Sequence, residues 1–90
     1  MKKAINKRVY NTETASLVEV FEQYENRCVE IRTEKLYRKR DGEYFLYRKT
    51  NLSVSNTDEV IIPLSREQAM RWIKKRFGEE CVALVFGMAV

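Results

Sequence analysis

The residues of this chain that could do chemistry are cations interleaved with aromatic rings. Residues 36–47 read LYRKRDGEYFLY, so two apolar and aromatic runs flank Asp41-Gly42. Cations beside such rings can neutralise phosphates while the rings stack on bases. The cations of this region are Arg38, Lys39, Arg40, Arg48 and Lys49, and the rings are Tyr37, Tyr44 and Tyr47. The alternative interpretation is structural, with the rings in the core and the cations on the solvent face of a sheet.

A second group of cations lies on the helix that we predict over residues 65–77. Arg71, Lys74 and Lys75 lie broadly opposite its apolar face, and they could contact a phosphate backbone or an acidic protein surface. The alternative is a solvated face, on which the cations of the last turns complement the helix dipole. All eight cations are therefore candidate binding residues.

The sequence offers little for catalysis. It has no histidine, which removes the usual general base and the usual metal ligand. Cys28 and Cys81 are too far apart in sequence to indicate a structural zinc site, and the isolated glycines form no phosphate-binding loop. A nuclease could use Asp58, Glu59 and Glu67 with a divalent metal, but these residues form no known motif. We expect a non-enzymatic protein without metal or cofactor, with a metal-dependent nuclease as the weaker alternative.

The composition indicates one small basic domain over residues 1–90. Net charge is +4 and hydrophobic residues make up 44%, which suits a globular core and acidic partners. No apolar run approaches the ~20 residues that cross a bilayer, so we expect no membrane contact. The start MKKAINKR has no apolar segment of a signal peptide after it. We therefore expect a cytoplasmic protein with free thiols at Cys28 and Cys81.

The predicted fold class is α+β: an antiparallel sheet centred on a β-hairpin at 36–47, with one helix at 65–77 packed on one face. Asp41-Gly42 suits a tight hairpin turn, because glycine accepts positive φ. Ser65 and Gln68 have the spacing of a capping box, and Gly78 fits the end of the helix.

The remaining elements are strands and one loop. A strand is predicted over 17–24, although a helix there is an alternative because Leu17, Phe21 and Tyr24 also recur at helical spacing. Leu36 is out of phase with the alternation that precedes it, which predicts a bulge or break near Glu34. The other predictions are a first strand over 4–10, a turn over 12–15, a strand over 27–33, a polar loop over 51–58, and a strand over 59–64 whose Pro63 closes it or places it at an edge.

The apolar end of the chain predicts a last strand over 81–86. Val82, Leu84 and Phe86 alternate with other apolar residues, so both faces of such a strand are apolar. One helix covers one sheet face only, and a second copy could cover the other. We therefore predict a homodimer whose interface includes residues 82–90, and Val82, Leu84 and Phe86 in particular.

Three segments resemble one family of small proteins carried by phages and mobile elements of Gram-positive bacteria. They are KRVYNTETA at 7–15, EKLYRKRDGEYFLY at 34–47 and EVIIPLSREQAMRW at 59–72. The resemblance implies a mobile-element accessory protein, with an anti-defence role of the anti-CRISPR kind, acting on a host protein or ribonucleoprotein. The resemblance does not identify any residue of this chain as part of a binding site. Read from the residues alone, the alternative is a small basic module that binds RNA or DNA.

Overall fold

The computed structural model describes residues 1–25, 29–53 and 56–87. Within them it has two antiparallel sheets and two helices, which confirms the predicted α+β class. In chain order the elements are β1 (Lys2–Ile5), β2 (Arg8–Asn11), β3 (Ser16–Glu25), β4 (Val29–Arg38), β5 (Tyr44–Ser53), β6 (Asn56–Leu64), α1 (Arg66–Phe77) and α2 (Glu79–Phe86).

The larger sheet is an antiparallel meander in the order β3-β4-β5-β6. Its two central strands form the predicted hairpin, but each is longer than residues 36–47 allow. β5 and β6 also extend through most of the predicted polar loop at 51–58, and Asn51 pairs with Thr57. That prediction was wrong because the ends of β5 and β6 extend as a two-stranded ribbon that need not bury either face. Their residues can therefore be polar, and they lack the apolar alternation by which a strand is predicted.

The turn between β4 and β5 is wider than the predicted two-residue turn. It spans residues 39–43, and the Lys39 N–H donates to the Glu43 carbonyl at 2.7 Å. Gly42 alone in this turn has a positive φ, at 91°. The turn therefore needs glycine at position 42, as predicted, whereas Asp41 contributes through its side chain and not through a positive φ. Its carboxylate accepts a hydrogen bond from the Glu43 N–H at 3.0 Å, which stabilises the turn from inside.

The two-residue turn lies instead between β1 and β2. Asn6 and Lys7 both have positive φ, at 51° and 64°, and Ile5 pairs with Arg8 across the turn. Both central residues of a type I′ turn need this conformation. The predicted single strand over 4–10 is therefore two strands. Asparagine tolerates the left-handed region, but lysine gives no sequence signal for it.

One face of the larger sheet packs against the helices. Its core contains Leu36, Leu46 and Tyr44 from β4 and β5, with Ala69 and Ile73 from α1. The helix begins as predicted: the Ser65 hydroxyl accepts from the Gln68 N–H at 3.1 Å, and the Gln68 side chain accepts from the Ser65 N–H at 2.8 Å. It ends at Gly78, whose φ of 93° suits glycine.

The opposite face packs against the β1–β2 hairpin, which the sequence did not predict. Tyr10 of β2 meets Tyr37, Phe45 and Ile61 of the sheet in a second buried cluster. The Phe45 ring is stacked on Tyr37 with centroids 5.1 Å apart and meets the edge of Tyr10 at 5.5 Å. Both faces of the sheet are therefore partly covered by this chain alone.

The burial of both faces also explains why apolar residues are adjacent at positions 36 and 37. Leu36 and Tyr37 are adjacent and both buried, one on each face. The pairing of β4 with β5 has no shift from Arg32 to Arg38, so the bulge predicted near Glu34 is absent there. The pairing of β4 with β3 does shift, at two places: Val18 is the extra residue in β3, and Ile31 is the extra residue in β4, three positions before Glu34. The strand predicted over 17–24 is confirmed as β3.

The predicted strand over 81–86 is wrong, because this segment forms the helix α2. Glu79 and Glu80 occupy its first turn, where the helix dipole favours acidic residues, and Gly87 caps its end with a φ of 65°. Val82 and Phe86, one helical turn apart, pack against the core on the helix side. Leu84 points away and is 84% exposed. The two-sided apolar strand, on which the predicted dimer interface depended, does not exist.

Candidate functional site

The eight candidate cations do not form one surface. Arg71, Lys74 and Lys75 are exposed on α1, on the opposite side of the sheet from the β1–β2 hairpin. Lys74 forms an ion pair with Glu79 at 3.0 Å, as expected for a solvated helix face. Lys49 lies in β5, one residue beyond Arg48, so these two neighbours point to opposite faces of the sheet.

Arg48 is occupied by a buried carboxylate. Glu34 is 0% exposed, and its two oxygens accept from Arg48 Nε at 2.9 Å and from Arg76 Nη2 at 2.8 Å. The Arg76 guanidinium also lies over the Phe21 ring, 4.5 Å from its centroid. Burial by itself raises the pKa of the Glu34 carboxyl, but the hydrogen bonds from the two arginines outweigh it and hold the pKa below its ordinary value. This cluster joins the sheet to α1, and the charge of Arg48 is already paired with Glu34.

Of the three tyrosines proposed to stack on bases, two are core residues. Tyr37 and Tyr44 are buried on opposite faces of the sheet, and the Tyr44 ring lies 5.4 Å from Phe86 of α2. Tyr47 is half-buried, and its hydroxyl donates a hydrogen bond to Glu59. Burial and this carboxylate raise the pKa of Tyr47 to about 12. The structural interpretation therefore holds for Tyr37 and Tyr44.

A basic groove of about 450 Å³ lies between the β1–β2 hairpin and the 39–43 turn. We call it the basic groove. Three of its lining residues are cations, Lys2, Lys39 and Arg40, and one is acidic, Asp41. The rest of the lining is neutral: Val9, Asn11, Thr14 and Ala15.

The wall of the basic groove that the hairpin side contributes is held by hydrogen bonds. On the hairpin side, the Asn11 carbonyl accepts from the N–H groups of Thr14 and Ala15 at 3.3 and 3.1 Å. The Asn11 side chain accepts from the Glu13 N–H at 3.0 Å. This is the turn predicted over residues 12–15, and Ala15 leads from it into the second core cluster. The wall is therefore fixed before any ligand binds.

The two walls are tied together through Glu43. Its carboxylate forms an ion pair with Arg8 at 2.6 Å and accepts from the Tyr10 hydroxyl at 3.5 Å. Lys39 packs its ammonium over the Tyr10 ring, 4.6 Å from the centroid, which orients it at the base of the groove. These contacts position the 39–43 turn against the hairpin.

The charges of the basic groove are not fully compensated. Asp41 lies 3.5 Å from Lys39, and its pKa is held below the ordinary value mainly by the Glu43 N–H, with a further contribution from Lys39. Lys2 and Arg40 are exposed, and neither forms an ion pair with any residue that the structure describes. An anion entering the groove would meet these two free cations together with the polar side chains of Asn11 and Thr14.

Sequence reasoning found Lys39 and Arg40 but missed Lys2, Asn11 and Thr14. The two walls are more than twenty residues apart in sequence, and the hairpin that brings them together carries no Asn-Gly or Asp-Gly signal. Arg38 lies at the end of β4 beside the 39–43 turn and is exposed, outside the groove lining.

The carboxylates considered for a nuclease are not brought together. Asp58 and Glu59 are consecutive in β6 and therefore point to opposite faces, while Glu67 lies in the first turn of α1. Across residues 1–25, 29–53 and 56–87, no group of three or more metal-ligating side chains is found.

Cys81 is a free thiol, as predicted, whereas Cys28 lies outside the described residues. The Cys81 thiol lies 3.9 Å from a Glu19 carboxylate oxygen. Burial, and secondarily this carboxylate, raise the pKa of the Cys81 thiol. It is therefore less reactive than an ordinary surface thiol.

The chain matches no protein-family model, no curated protein and no solved structure at a significant level. The family resemblance drawn from residues 7–15, 34–47 and 59–72 therefore stays a hypothesis. Neither α1 nor α2, the helices of the described part of the chain, is long and apolar enough to span a membrane.

Proposed function

We propose that this protein is a non-enzymatic binding protein whose basic groove holds the phosphate backbone of a nucleic acid, free or within a ribonucleoprotein. The observation that carries the proposal is the convergence of Lys2, Lys39 and Arg40 on one preformed concave surface, with two of these cations free of ion pairs. Phosphate contacts of this kind need cations and hydrogen-bond donors, and they do not need base-specific geometry.

The accessory role implied by the family resemblance fits the same surface. A mobile-element protein that occupies the backbone of a host ribonucleoprotein would block it without any catalytic step. In this proposal the protein acts in the cytoplasm and needs no metal or cofactor. An acidic protein surface is the competing ligand, because carboxylates could also bind the groove.

The test is binding of fluorescently labelled single-stranded RNA, single-stranded DNA and duplex DNA, followed by anisotropy over a range of salt concentrations. We expect the double variant Lys2→Glu/Arg40→Glu to weaken binding at least about tenfold and to flatten the salt dependence by roughly two counterions. The matched control is Arg71→Glu/Lys75→Glu on α1, which makes the same change in charge on the other side of the sheet. It should keep most of the affinity.

Two results would contradict the proposal. One is the absence of binding to all three nucleic acids at low salt, which would favour an acidic protein as the ligand. The other is an equal loss in both double variants, which would indicate that net charge and not the basic groove determines binding.

A further inference from the structure

The two edges of the larger sheet differ in a way that the proposed function does not use. At one edge, β3 contains an extra residue, Val18, where its register against β4 shifts, and such a bulge interrupts the regular edge that another strand would need. At the other edge, β6 pairs with β5 without a shift from Thr57 to Leu64. Among the described strands, β6 has no partner on its outer side. Its outer edge is therefore regular and open.

The apolar side chains of β6 on the helix side are incompletely covered. Val60, Ile62 and Leu64 are all half-buried, although they point toward the helix layer. The reason is the path of α1: it begins directly after β6, and its last residue, Phe77, meets Phe21 of β3 at the far edge of the sheet. As α1 crosses the sheet diagonally, it leaves the β6 side.

We infer that β6 pairs with β6 of a second copy of this chain, antiparallel about a two-fold axis near Ile61. This register places Val60 of one copy opposite Ile62 of the other, so half-buried apolar side chains cover each other. It also places Pro63, which has no N–H to donate, opposite Glu59 near the ends of the paired segment and not at its centre. The product is one sheet continuous across the two copies.

The charges of β6 favour a second copy over an unrelated strand. Its first half carries Asp58 and Glu59, while its end leads into Arg66 and the N-terminus of α1. Antiparallel pairing about Ile61 brings Asp58 of each copy, which shares the helix face of β6 with Val60 and Ile62, toward Arg66 and the helix N-terminus of the other. Arg66 and the partial positive charge of the helix N-terminus together outweigh the carboxylate of Glu67 in the same turn, so Asp58 meets a net positive surface at both ends of the interface.

The test is the mass of the intact protein in solution, measured by light scattering over roughly a hundredfold range of concentration. We expect the mass of two 10.7 kDa chains, and we expect Val60→Lys to raise the dimer dissociation constant at least about tenfold by placing two ammonium groups in the apolar contact. Asp58→Lys, at an exposed site, should weaken the dimer in the same direction. The control is Leu17→Lys, which changes a 52% exposed residue of the β3 edge and should leave the dimer intact.

The experiment has outcomes that overturn the inference. A monomer at every concentration excludes it, as does a dimer that neither Val60→Lys nor Asp58→Lys weakens. If Leu17→Lys dissociates the dimer as strongly as Val60→Lys, the interface lies elsewhere. Circular dichroism identifies a variant that has lost its fold, and in that case Asp58→Lys, which removes no buried contact, decides the result.

Discussion

The carboxylate of Glu34, at the centre of the sheet, is hydrogen-bonded to the guanidinium of Arg76, in the last turn of α1, at 2.8 Å. The two residues are 42 positions apart in sequence, so this contact ties the end of the helix to the middle of β4. Arg48 completes the cluster from β5. A fully buried carboxylate is stable only when it is paired and hydrogen-bonded, and Glu34 has both partners.

The first prediction concerns this cluster and pH. Glu34→Gln should lower the free energy of unfolding at neutral pH by about 3 kcal/mol, because two partly buried arginines lose their counter-charge. The pKa of Glu34 is lower in the folded protein than in the unfolded chain. Its ionised form therefore stabilises the fold above the ordinary glutamate pKa of about 4.3, and that contribution is lost as pH falls through the lower, folded value.

Urea denaturation at several values between about pH 3 and pH 7 measures this effect. The gap in stability between the wild-type protein and Glu34→Gln should narrow toward acid pH. Glu13→Gln, at an exposed turn position, is the control and should change little. A gap that stays constant with pH would show that the carboxylate is not ionised in the folded protein.

The second prediction concerns the core on the hairpin side. Phe45 is 0% exposed and is held between Tyr37 and Tyr10. Phe45→Ala should cost about 3–5 kcal/mol and unfold much of the population of so small a domain. Leu84→Ala, at the exposed side of α2, should change stability by less than about 0.5 kcal/mol. Thermal unfolding of both variants gives the comparison, and equal midpoints would mean that Phe45 does not anchor the sheet.

The predictable parts of this fold are those with local signals. Ser65 and Gln68 specify the start of α1 within four residues of sequence, and Gly78 specifies its end. The outcome at residues 81–86 shows the limit of such signals, because a short apolar run fits a buried strand and a helix equally well. What decides between them is the surface that receives the side chains, and for Val82 and Phe86 that surface is built by distant residues.

The candidate site was even less accessible to prediction. Lys39 and Arg40 stand out in the sequence, but their partners in the basic groove come from the start of the chain. Arg48 looks equally available in the sequence and is not, since only the fold shows that Glu34 is buried beside it. Charge patterns locate cations, whereas pairing between distant elements decides which of them remain free.

The third prediction concerns the link between the helices. Gly78 has φ 93° and ψ 174°, a conformation almost exclusive to glycine, and no atom beyond its two chain neighbours lies within 4 Å of the position that a Cβ would take. Gly78→Ala should therefore cost about 1–3 kcal/mol through backbone strain alone. Gly87→Ala, in the left-handed region at φ 65°, should cost only about 1 kcal/mol. Chemical denaturation ranks the two variants, and the reverse order would contradict the assigned conformation of Gly78.

The fourth prediction concerns the reactivity of Cys81. Because burial and Glu19 raise the pKa of its thiol, less thiolate is present at a given pH, and alkylation of Cys81 should be slower than that of a fully exposed cysteine. The rate in the folded protein should continue to rise above pH ~8.5, the ordinary cysteine value. Glu19→Gln should speed the reaction by removing the neighbouring negative charge. Mass spectrometry of the peptide that contains Cys81 follows the rate, and no change in Glu19→Gln would leave burial as the sole cause.

The last prediction links the β1–β2 turn to the basic groove. Lys7 has a φ of 64°, which glycine adopts without strain, so Lys7→Gly should stabilise the protein by about 0.5–1 kcal/mol. Lys3→Gly removes the same charge from the middle of β1, where glycine weakens a strand, and should destabilise by a similar amount. Since the hairpin carries Lys2 and Asn11 into the groove, Lys7→Gly should retain nucleic-acid binding while Lys3→Gly weakens it. Equal losses of affinity in the two variants would indicate that the charges themselves, and not the order of the hairpin, determine binding.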